Sequence, residues 1–316
     1  MKIALITPAR PVAHSGNRNT AVRWAALLRE LGHRVRVQTG WDGRPADAMI
    51  ALHARRSHDS IARYAAHFPQ RPLVVMLTGT DLYGDIRVNA AAKRSLELAT
   101  RLVVLQNEGL AELAPRLRQK TRVIYQSTRK VKKAAPLKSR FEVCISGHLR
   151  AVKDPFRLAA ALRHVPAISR IRAVQAGGAM SDAMKRAAQR WMRREPRYTW
   201  VGELTHGGAL RRLARARLLV ISSRMEGGAN VVTEALAAGV PVIASRVSGN
   251  IGMLGKDYAG YFPAGDERAL ARLLWRAEAD AKFYGLLGRQ CAARRGLTHR
   301  AREKAALRSL LRELRA

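Results

Sequence analysis

The sequence predicts an α/β protein made of two doubly wound, Rossmann-like domains. Two observations carry this prediction: short β-branched runs alternate with helical patterns from the first residues, and the alternation restarts near residue 141. The predicted strands over residues 47–53, 72–77, 101–106 and 122–126 are apolar at their centres, which is typical of buried parallel strands. The 316 residues are enough for two domains that each bury a core.

The first domain is predicted over residues 1–135 and opens with a βαβ unit. A strand over KIALIT (2–7) leads to a helix over TAVRWAALLREL (20–31), and a second strand covers RVRVQ (34–38). Gly32 ends the helix between them. The further predicted strands are DAMIALH (47–53), PLVVML (72–77), RLVVLQ (101–106) and RVIYQ (122–126).

The second domain is predicted over residues 136–290, after a linker within RKVKKAAPLKSR (129–140) that lacks apolar periodicity. Residues 291–316 are predicted to pack back toward the first domain through a last helix with leucines on one face. Two such domains bind ligands outside the carboxyl ends of their strands, so we expect a cleft lined by strand-to-helix loops. The predicted strands are FEVCIS (141–146), IRAVQA (171–176), YTWVG (198–202), RLLVISS (217–223), VPVIAS (240–245) and GYFP (260–263).

Composition narrows the classes of function. No window reaches the apolar length of a membrane span, and we expect a cytoplasmic protein without a signal peptide. Cys144 and Cys291 lie far apart, so neither a disulfide nor a zinc site is predicted. The net charge of +35 favours anionic ligands. Because the arginines are scattered without interleaved aromatics, nucleic acid is not expected, although a non-enzymatic polyanion binder remains an alternative.

The stretch SSRMEGGANVVTEALAAGVPVIAS (222–245) concentrates the candidate chemistry. It places Glu226 after a buried strand and Glu234 eight positions later on a helix, and both carboxylates can accept hydrogen bonds from vicinal hydroxyls. Gly227 and Gly228 leave room for a ligand against the backbone, and the helix start favours an anion. The plainer alternative is that Glu226 is a helix N-terminal carboxylate and Glu234 a solvated helix residue.

These residues resemble the E-x7-E signature of GT-B glycosyltransferases of the nucleotide-sugar family 4. GHLRAVKDP (147–155) is similar to the Gly-Arg-Leu-x-x-x-Lys element of that family, with Lys153 at the position of its phosphate-binding lysine. His148 stands where the family has an arginine, and Arg150 is the expected source of the missing charge. The resemblance implies a GT-B fold, in which two Rossmann-like domains face an interdomain cleft, and a nucleotide-sugar donor.

Nearly the whole chain resembles, more narrowly, the selenosugar synthase (SenB-type) branch of selenoneine biosynthesis. This implies a transferase that joins the sugar of UDP-N-acetylglucosamine or UDP-glucose to selenophosphate, forming a carbon–selenium bond and releasing UDP. A family 4 transferase with a lipid-linked sugar or a polysaccharide as acceptor is the alternative. The stretches that carry the resemblance are ITPARP…SGNRNTAVRWA, ALHARRS, LTGTDLYGD, RLVVLQ, VIYQS, GHLRAVKDPFR and SSRMEGGANVV.

The motifs and the resemblance together define the expected donor site. Charge that develops on the departing diphosphate must be neutralised, and the chain contains no D-x-D sequence, so we expect basic side chains to do this without a metal or cofactor. The expected catalytic residues are Glu226, Lys153, Arg150 and His148. The expected donor-binding residues are Gly16, Gly202, Glu203, Leu204, Gly227, Gly228, Ala229, Asn230, Val231 and Glu234.

The acceptor is expected at the loops of the first domain. Loops that follow strands and open helices suit oxyanions, and a bidentate arginine suits a phosphate-like dianion. Selenophosphate is a soft nucleophile that is largely ionised near neutral pH, so positioning is expected to matter more than a general base. The expected acceptor-binding residues are Asn17, Arg18, His53, Arg55, Arg56, Thr80 and Asp81.

Overall fold

A computed structural model describes residues 1–9, 16–129, 131 and 134–315. Ser15 of the SGNRN stretch and residues 130, 132 and 133 of the predicted linker lie outside the described residues. The chain divides into two compact units, each with a six-stranded, all-parallel sheet. Unit 1 comprises Met1–Ser127, Glu226–Gly228 and His299–Ala316, and unit 2 comprises Thr128–Met225 and Ala229–Thr298.

Unit 1 has the strand order β2-β1-β3-β4-β5-β6. The six strands predicted for this half of the sequence are confirmed, and the apolar runs of β1, β3, β4 and β5 are buried in the sheet. Its elements are β1 (Lys2–Ile6), α1 (Gly16–Glu30), β2 (Arg34–Gln38), β3 (Ala48–Leu52), α2 (His58–His67), β4 (Leu73–Met76), α3 (Ile86–Val88), α4 (Ala90–Leu98), β5 (Arg101–Val104), α5 (Pro115–Gln119) and β6 (Thr121–Val123).

Unit 2 has the strand order β12-β11-β10-β7-β8-β9, the order typical of dinucleotide-binding domains. The six strands predicted for this half are confirmed as well. Its elements are β7 (Phe141–Ser146), α6 (Arg157–Leu162), β8 (Ile171–Ala176), α7 (Asp182–Arg194), β9 (Tyr198–Trp200), α8 (His206–Arg215), β10 (Leu218–Ile221), α9 (Asn230–Ala238), β11 (Val242–Ser245), α10 (Ser248–Leu254), β12 (Tyr261–Phe262), α11 (Glu267–Ala279) and α12 (Ala281–Arg294).

The last helix, α13 (Arg300–Glu313), belongs to unit 1. Its buried leucines Leu307, Leu310 and Leu311 join the core that contains Trp24 of α1. This burial follows from the apolar face that the leucine spacing predicts.

The chain just before α13 belongs to unit 2, which continues to Thr298 rather than to the predicted residue 290. The physical reason is local: Cys291 of α12 is buried and lies 3.3 Å from the hydroxyl of Tyr258. Arg294 then donates to the carbonyl of Met253 at 3.0 Å.

In the described part of the chain, none of the helices combines the length and the apolar character needed to cross a membrane.

Candidate active site

The candidate site of unit 2 lies at the carboxyl ends of β7 and β10, where the strand order reverses. The Ser222 hydroxyl follows β10 and donates to the carbonyls of Lys153 at 3.2 Å and Asp154 at 2.8 Å. The amide of Arg224 donates to the carbonyl of Val152 at 2.9 Å. These bonds fasten the short turn that carries Lys153 to the loop that leaves β10, so the predicted phosphate-binding lysine lies at the switch point of the sheet.

Three glycines end the adjacent strands β7, β8 and β9. Gly147, Gly177 and Gly202 have φ angles of 156°, 151° and 73°, which side chains disfavour. A Cβ atom at Gly177 would lie 2.0 Å from the carbonyl oxygen of Gly147, and the Gly177 amide donates to Gly202 at 2.7 Å. The strand exits therefore pack backbone against backbone. Only Gly202 of these three is among the predicted site residues, although Gly147 and Gly177 directly follow predicted strands.

His148 and Glu203 both approach Gly178. A Cβ atom built at Gly178 would lie 3.2 Å from Glu203 Oε2 and 3.4 Å from His148 Nδ1. The Leu149 amide donates to the Gly178 carbonyl at 2.9 Å. Arg150 then opens the 3₁₀ turn that contains Lys153, so one strand exit carries three of the predicted catalytic side chains. Glu203 is exposed and Leu204 is half-buried beside it.

Glu234 is buried in α9 and is paired with a histidine. Glu234 is only 8 % exposed, and its Oε1 lies 2.9 Å from Nε2 of His206. His206 is the first residue of α8, and the Thr205 hydroxyl caps that helix by accepting from the Gly208 amide at 3.2 Å. The alternative that Glu234 is a solvated helix residue is therefore wrong. His206 is not among the residues predicted from the sequence, because it stands 28 positions before Glu234 in the chain.

The first turn of α9 follows the same strand exit as Ser222. Ala229 precedes this nine-residue helix, and Asn230 and Val231 are its first two residues. Alanine has no side-chain acceptor to cap the helix, and the amides at a helix start favour a negatively charged group. The first turn of α9 thus presents partial positive charge at the carboxyl end of the sheet.

Glu226, Gly227 and Gly228 belong to unit 1, unlike their neighbours in sequence. A Cβ atom at Gly227 would lie 2.5 Å from the carbonyl oxygen of Thr78, and one at Gly228 would lie 2.7 Å from Cβ of Leu105. A side chain at either position would meet protein, so the two glycines let this segment pack against the loops that follow β4 and β5. Glu226 is 6 % exposed and lies four residues before Asn230, the first residue of α9.

The candidate site of unit 1 lies after β3, beside the point where the strand order of that sheet reverses. His53 is buried with a left-handed φ of 72°, and its Nε2 lies 3.1 Å from the Thr80 hydroxyl. Burial lowers the pKa of His53, although the nearby Asp81 carboxylate opposes this effect. The imidazole is therefore neutral at pH 7. Arg55 is exposed and pairs with Asp85, with Nε and Oδ2 2.8 Å apart.

Asp81 has a structural role that its position after a strand does not predict. Its carboxylate is fully buried, and Oδ1 accepts from the amides of Thr78 at 2.9 Å and Gly79 at 2.8 Å. Oδ2 accepts from the amide of Ala54 at 3.0 Å. Because backbone amides occupy both oxygens, the geometry does not support the predicted acceptor contact of Asp81. The carboxylate instead joins the loops that follow β3 and β4.

The remaining predicted residues of unit 1 lie in the loop after β3 and in the first turn of α1. Arg56 is exposed, and its amide lies 3.4 Å from Nδ1 of His53. Gly16, Asn17 and Arg18 form the first turn of α1, the helix that follows β1. Among the described residues, no three side chains of His, Cys, Asp or Glu are grouped to hold a metal ion.

One family matches the chain. The sequence model of the family described as "Glycosyl transferases group 1" matches residues 126–290, just over half of the chain. No curated protein matches the sequence.

Several solved structures share the whole architecture. HepE from Anabaena, in complex with UDP and glucose, has a TM-score of 0.80 at 16% identity, covering 99% of this chain and 100% of HepE. Sucrose-phosphate synthase from Thermosynechococcus elongatus has a TM-score of 0.81 at 19% identity, covering 99% and 98%. The UDP-forming α,α-trehalose-phosphate synthase from Burkholderia xenovorans has a TM-score of 0.74 at 11% identity, covering both chains fully, at 100%. At these identities the likeness concerns the fold, and it confirms the predicted GT-B fold.

Proposed function

Since the chain belongs to the glycosyl transferases group 1, we propose that it transfers the sugar of UDP-N-acetylglucosamine or UDP-glucose to selenophosphate and releases UDP. The family supports a glycosyltransferase activity. A UDP-sugar donor is supported by the structures of HepE with UDP-glucose and with UDP, which have the same fold. The selenophosphate acceptor rests on the sequence resemblance to selenosugar synthases and on the basic loops of unit 1.

The buried pair of Glu234 and His206 is the observation that carries the donor proposal. Glu234 is 8 % exposed and lies 2.9 Å from His206, so its carboxylate is fixed in the middle of the helix that follows the sheet switch point. Such a carboxylate suits the two hydroxyls of a ribose. Lys153 and Arg150 neutralise the diphosphate beside it, with His148 as a further donor. The uracil lies against residues 202–204.

The acceptor is an anion held by cationic side chains of unit 1. Arg55 and Arg56 follow β3, and Arg18 lies in the first turn of α1. Arginine presents a fork of donors that matches a phosphate-like dianion. His53 and Thr80, whose side chains are hydrogen-bonded to each other, add polar groups beside these cations. These features support a small dianion such as selenophosphate.

The transfer step needs little acid–base chemistry. Selenium attacks the anomeric carbon, a carbon–selenium bond forms, and the bond from that carbon to the diphosphate oxygen breaks with its electron pair leaving on UDP. The phosphoryl group stays on selenium in this step. Selenophosphate arrives ionised, so no proton must be removed from it. Glu226 orients the donor sugar, and Lys153 with Arg150 stabilises the charge that develops on UDP without a metal.

Mass spectrometry of the products tests this proposal directly. The protein is incubated with UDP-N-acetylglucosamine or UDP-glucose and selenophosphate, with and without a metal chelator. We expect a selenium-containing sugar in both reactions, and we expect its amount to fall at least tenfold in Glu226→Gln. Glu97→Gln is the matched control, because Glu97 is an exposed residue paired with Arg116 on the surface of unit 1.

The outcomes test the acceptor, the role of Glu226 and the independence from metal separately. UDP release with hydroxyl acceptors but never with selenophosphate would refute the acceptor and favour a transferase of lipid-linked sugars or polysaccharides. Full activity in a correctly folded Glu226→Gln variant would remove Glu226 from the site. Product formation that stops with the chelator would refute the expectation of a metal-independent reaction.

A further inference from the structure

Gln126 has hydrogen-bond partners on both sides of its side-chain amide. Its Oε1 accepts from the Thr20 hydroxyl at 2.7 Å and from the Arg23 guanidinium. Its Nε2 donates to the carbonyl of Gly228 at 2.8 Å. Because a guanidinium can only donate, the oxygen must face Arg23 and the NH₂ group must face Gly228. The buried amide of Gln126 is therefore held in one orientation.

Arg23 is itself held by the C-terminal helix. Its Nε lies 3.0 Å from Oε2 of Glu303, whose side chain is fully buried in α13. Glu303 also accepts from the Trp24 indole at 2.8 Å and from the Ser127 amide at 2.8 Å. A continuous hydrogen-bonded path thus runs from Glu303 through Arg23 and Gln126 to Gly228, all within unit 1.

The end of this path is the segment that carries Glu226. Residues 226–228 belong to unit 1, whereas Met225 and Ala229 on either side belong to unit 2. Gly227 packs against the backbone of Thr78, and Gly228 packs against Leu105, so the segment lies directly against unit 1. The bond from Gln126 to the Gly228 carbonyl supplies a directed attachment.

We propose that Gln126 is a positioning residue for Glu226, which it holds in place through the Gly228 carbonyl. The inference rests on the proposed role of Glu226 in sugar transfer. Gln126 contacts neither reacting group and acts only through the backbone of residues 226–228. Its orientation is set by Arg23 and Glu303, so the C-terminal helix contributes to the site although it carries none of the site residues.

Gln126→Glu tests the attachment with the smallest change of shape. The carboxylate keeps an acceptor for Thr20 and Arg23, but it presents an oxygen instead of a donor to the Gly228 carbonyl. We expect hydrogen exchange of the amides of residues 226–230 to rise at least tenfold and kcat for UDP release from UDP-glucose to fall at least tenfold. The Kd for UDP is expected to stay within twofold, because the proposed UDP contacts are in unit 2. Gln126→Leu gives the same comparison if the charged variant does not fold.

Tyr64→Phe is the matched control, because it also removes one buried bond to a backbone carbonyl of unit 1, from the Tyr64 hydroxyl to Ala46. Tyr64→Phe should leave both the amide hydrogen exchange of residues 226–230 and kcat unchanged. Unchanged exchange in the Gln126 variants would overturn the inference, and so would faster exchange with full kcat. If the wild-type protein transfers no sugar to selenophosphate, the proposed acceptor fails, while exchange and UDP release still decide the role of Gln126.

Discussion

The imidazole of His206 and the carboxylate of Glu234 form a pair, with Nε2 and Oε1 2.9 Å apart, between the first turn of α8 and the middle of α9. The pair joins His206, which follows β9, to Glu234, which follows β10. A buried carboxylate without a partner would be costly, and the histidine supplies that partner and orients the Glu234 side chain. The relationship makes His206 a positioning residue for the proposed ribose contact.

Replacing His206 by asparagine is expected to weaken UDP binding three- to tenfold. The expected cost is the loss of one hydrogen bond, about 1 kcal/mol, which is a factor of roughly five in Kd. Isothermal titration calorimetry with UDP measures it, and Glu234→Gln should have the larger effect. His164→Asn, a change at an exposed histidine of unit 2, is the control. Unaltered UDP affinity in His206→Asn would contradict the assignment.

Lys153 is expected to act mainly on the departing diphosphate. Lys153→Met keeps the length of the side chain but removes its charge. We expect kcat to fall on the order of a hundredfold, which is the usual cost of losing one group that stabilises developing negative charge. Steady-state release of UDP measures the change. Lys185→Met, on the exposed side of α7, should leave the rate unaltered. A fall in kcat no larger than that of the control would argue that Lys153 is ordinary surface charge.

The strands and the points where they end could be predicted from the sequence, because each depends on local patterns. Apolar runs such as 72–77 and 217–223 are buried wherever the chain goes next, and glycine after a strand marks a tight exit. The strand exits in turn locate Lys153 and His53, since the carboxyl ends of parallel strands lie on one edge of each sheet. These residues were found without knowledge of any long-range contact.

What could not be predicted depends on contacts between residues far apart in sequence. The bond of Gln126 to Gly228 spans 102 positions, and that of Arg23 to Glu303 spans 280. Neither Gln126 nor Arg23 lies in a sequence pattern that distinguishes it from a surface residue. Asp81 shows the opposite error, since a carboxylate at a strand end was predicted to contact a ligand, but it binds backbone amides.

Gly227→Ala should destabilise unit 1. The added methyl group would lie 2.5 Å from the Thr78 carbonyl oxygen and 2.9 Å from Cα of Gly79, both backbone atoms that cannot rotate away. Overpacking of this kind costs about 1–3 kcal/mol. Urea denaturation measures the free energy of unfolding. Gly288→Ala is the control, because its added Cβ would meet open space within α12, and it should stabilise the protein by about 0.5–1 kcal/mol. Equal effects of the two changes would refute the packing argument.

His53 should make stability depend on pH in a defined direction. Burial lowers the pKa of His53 in the folded protein, so below about pH 6.5 the unfolded chain binds a proton that the folded chain does not. This contribution is fully present above pH 6.5 and is lost as the pH falls toward the folded pKa. His53→Asn removes the titrating group and keeps a residue that tolerates the φ of 72°. The free energy of unfolding of the wild type should therefore drop more than that of His53→Asn between pH 7.5 and 5.5. His67→Asn, at an exposed residue of α2, should follow the wild type. Parallel pH dependences of the wild type and His53→Asn would show that His53 gains its proton equally well in the folded state, and the assignment of a neutral imidazole would then fail.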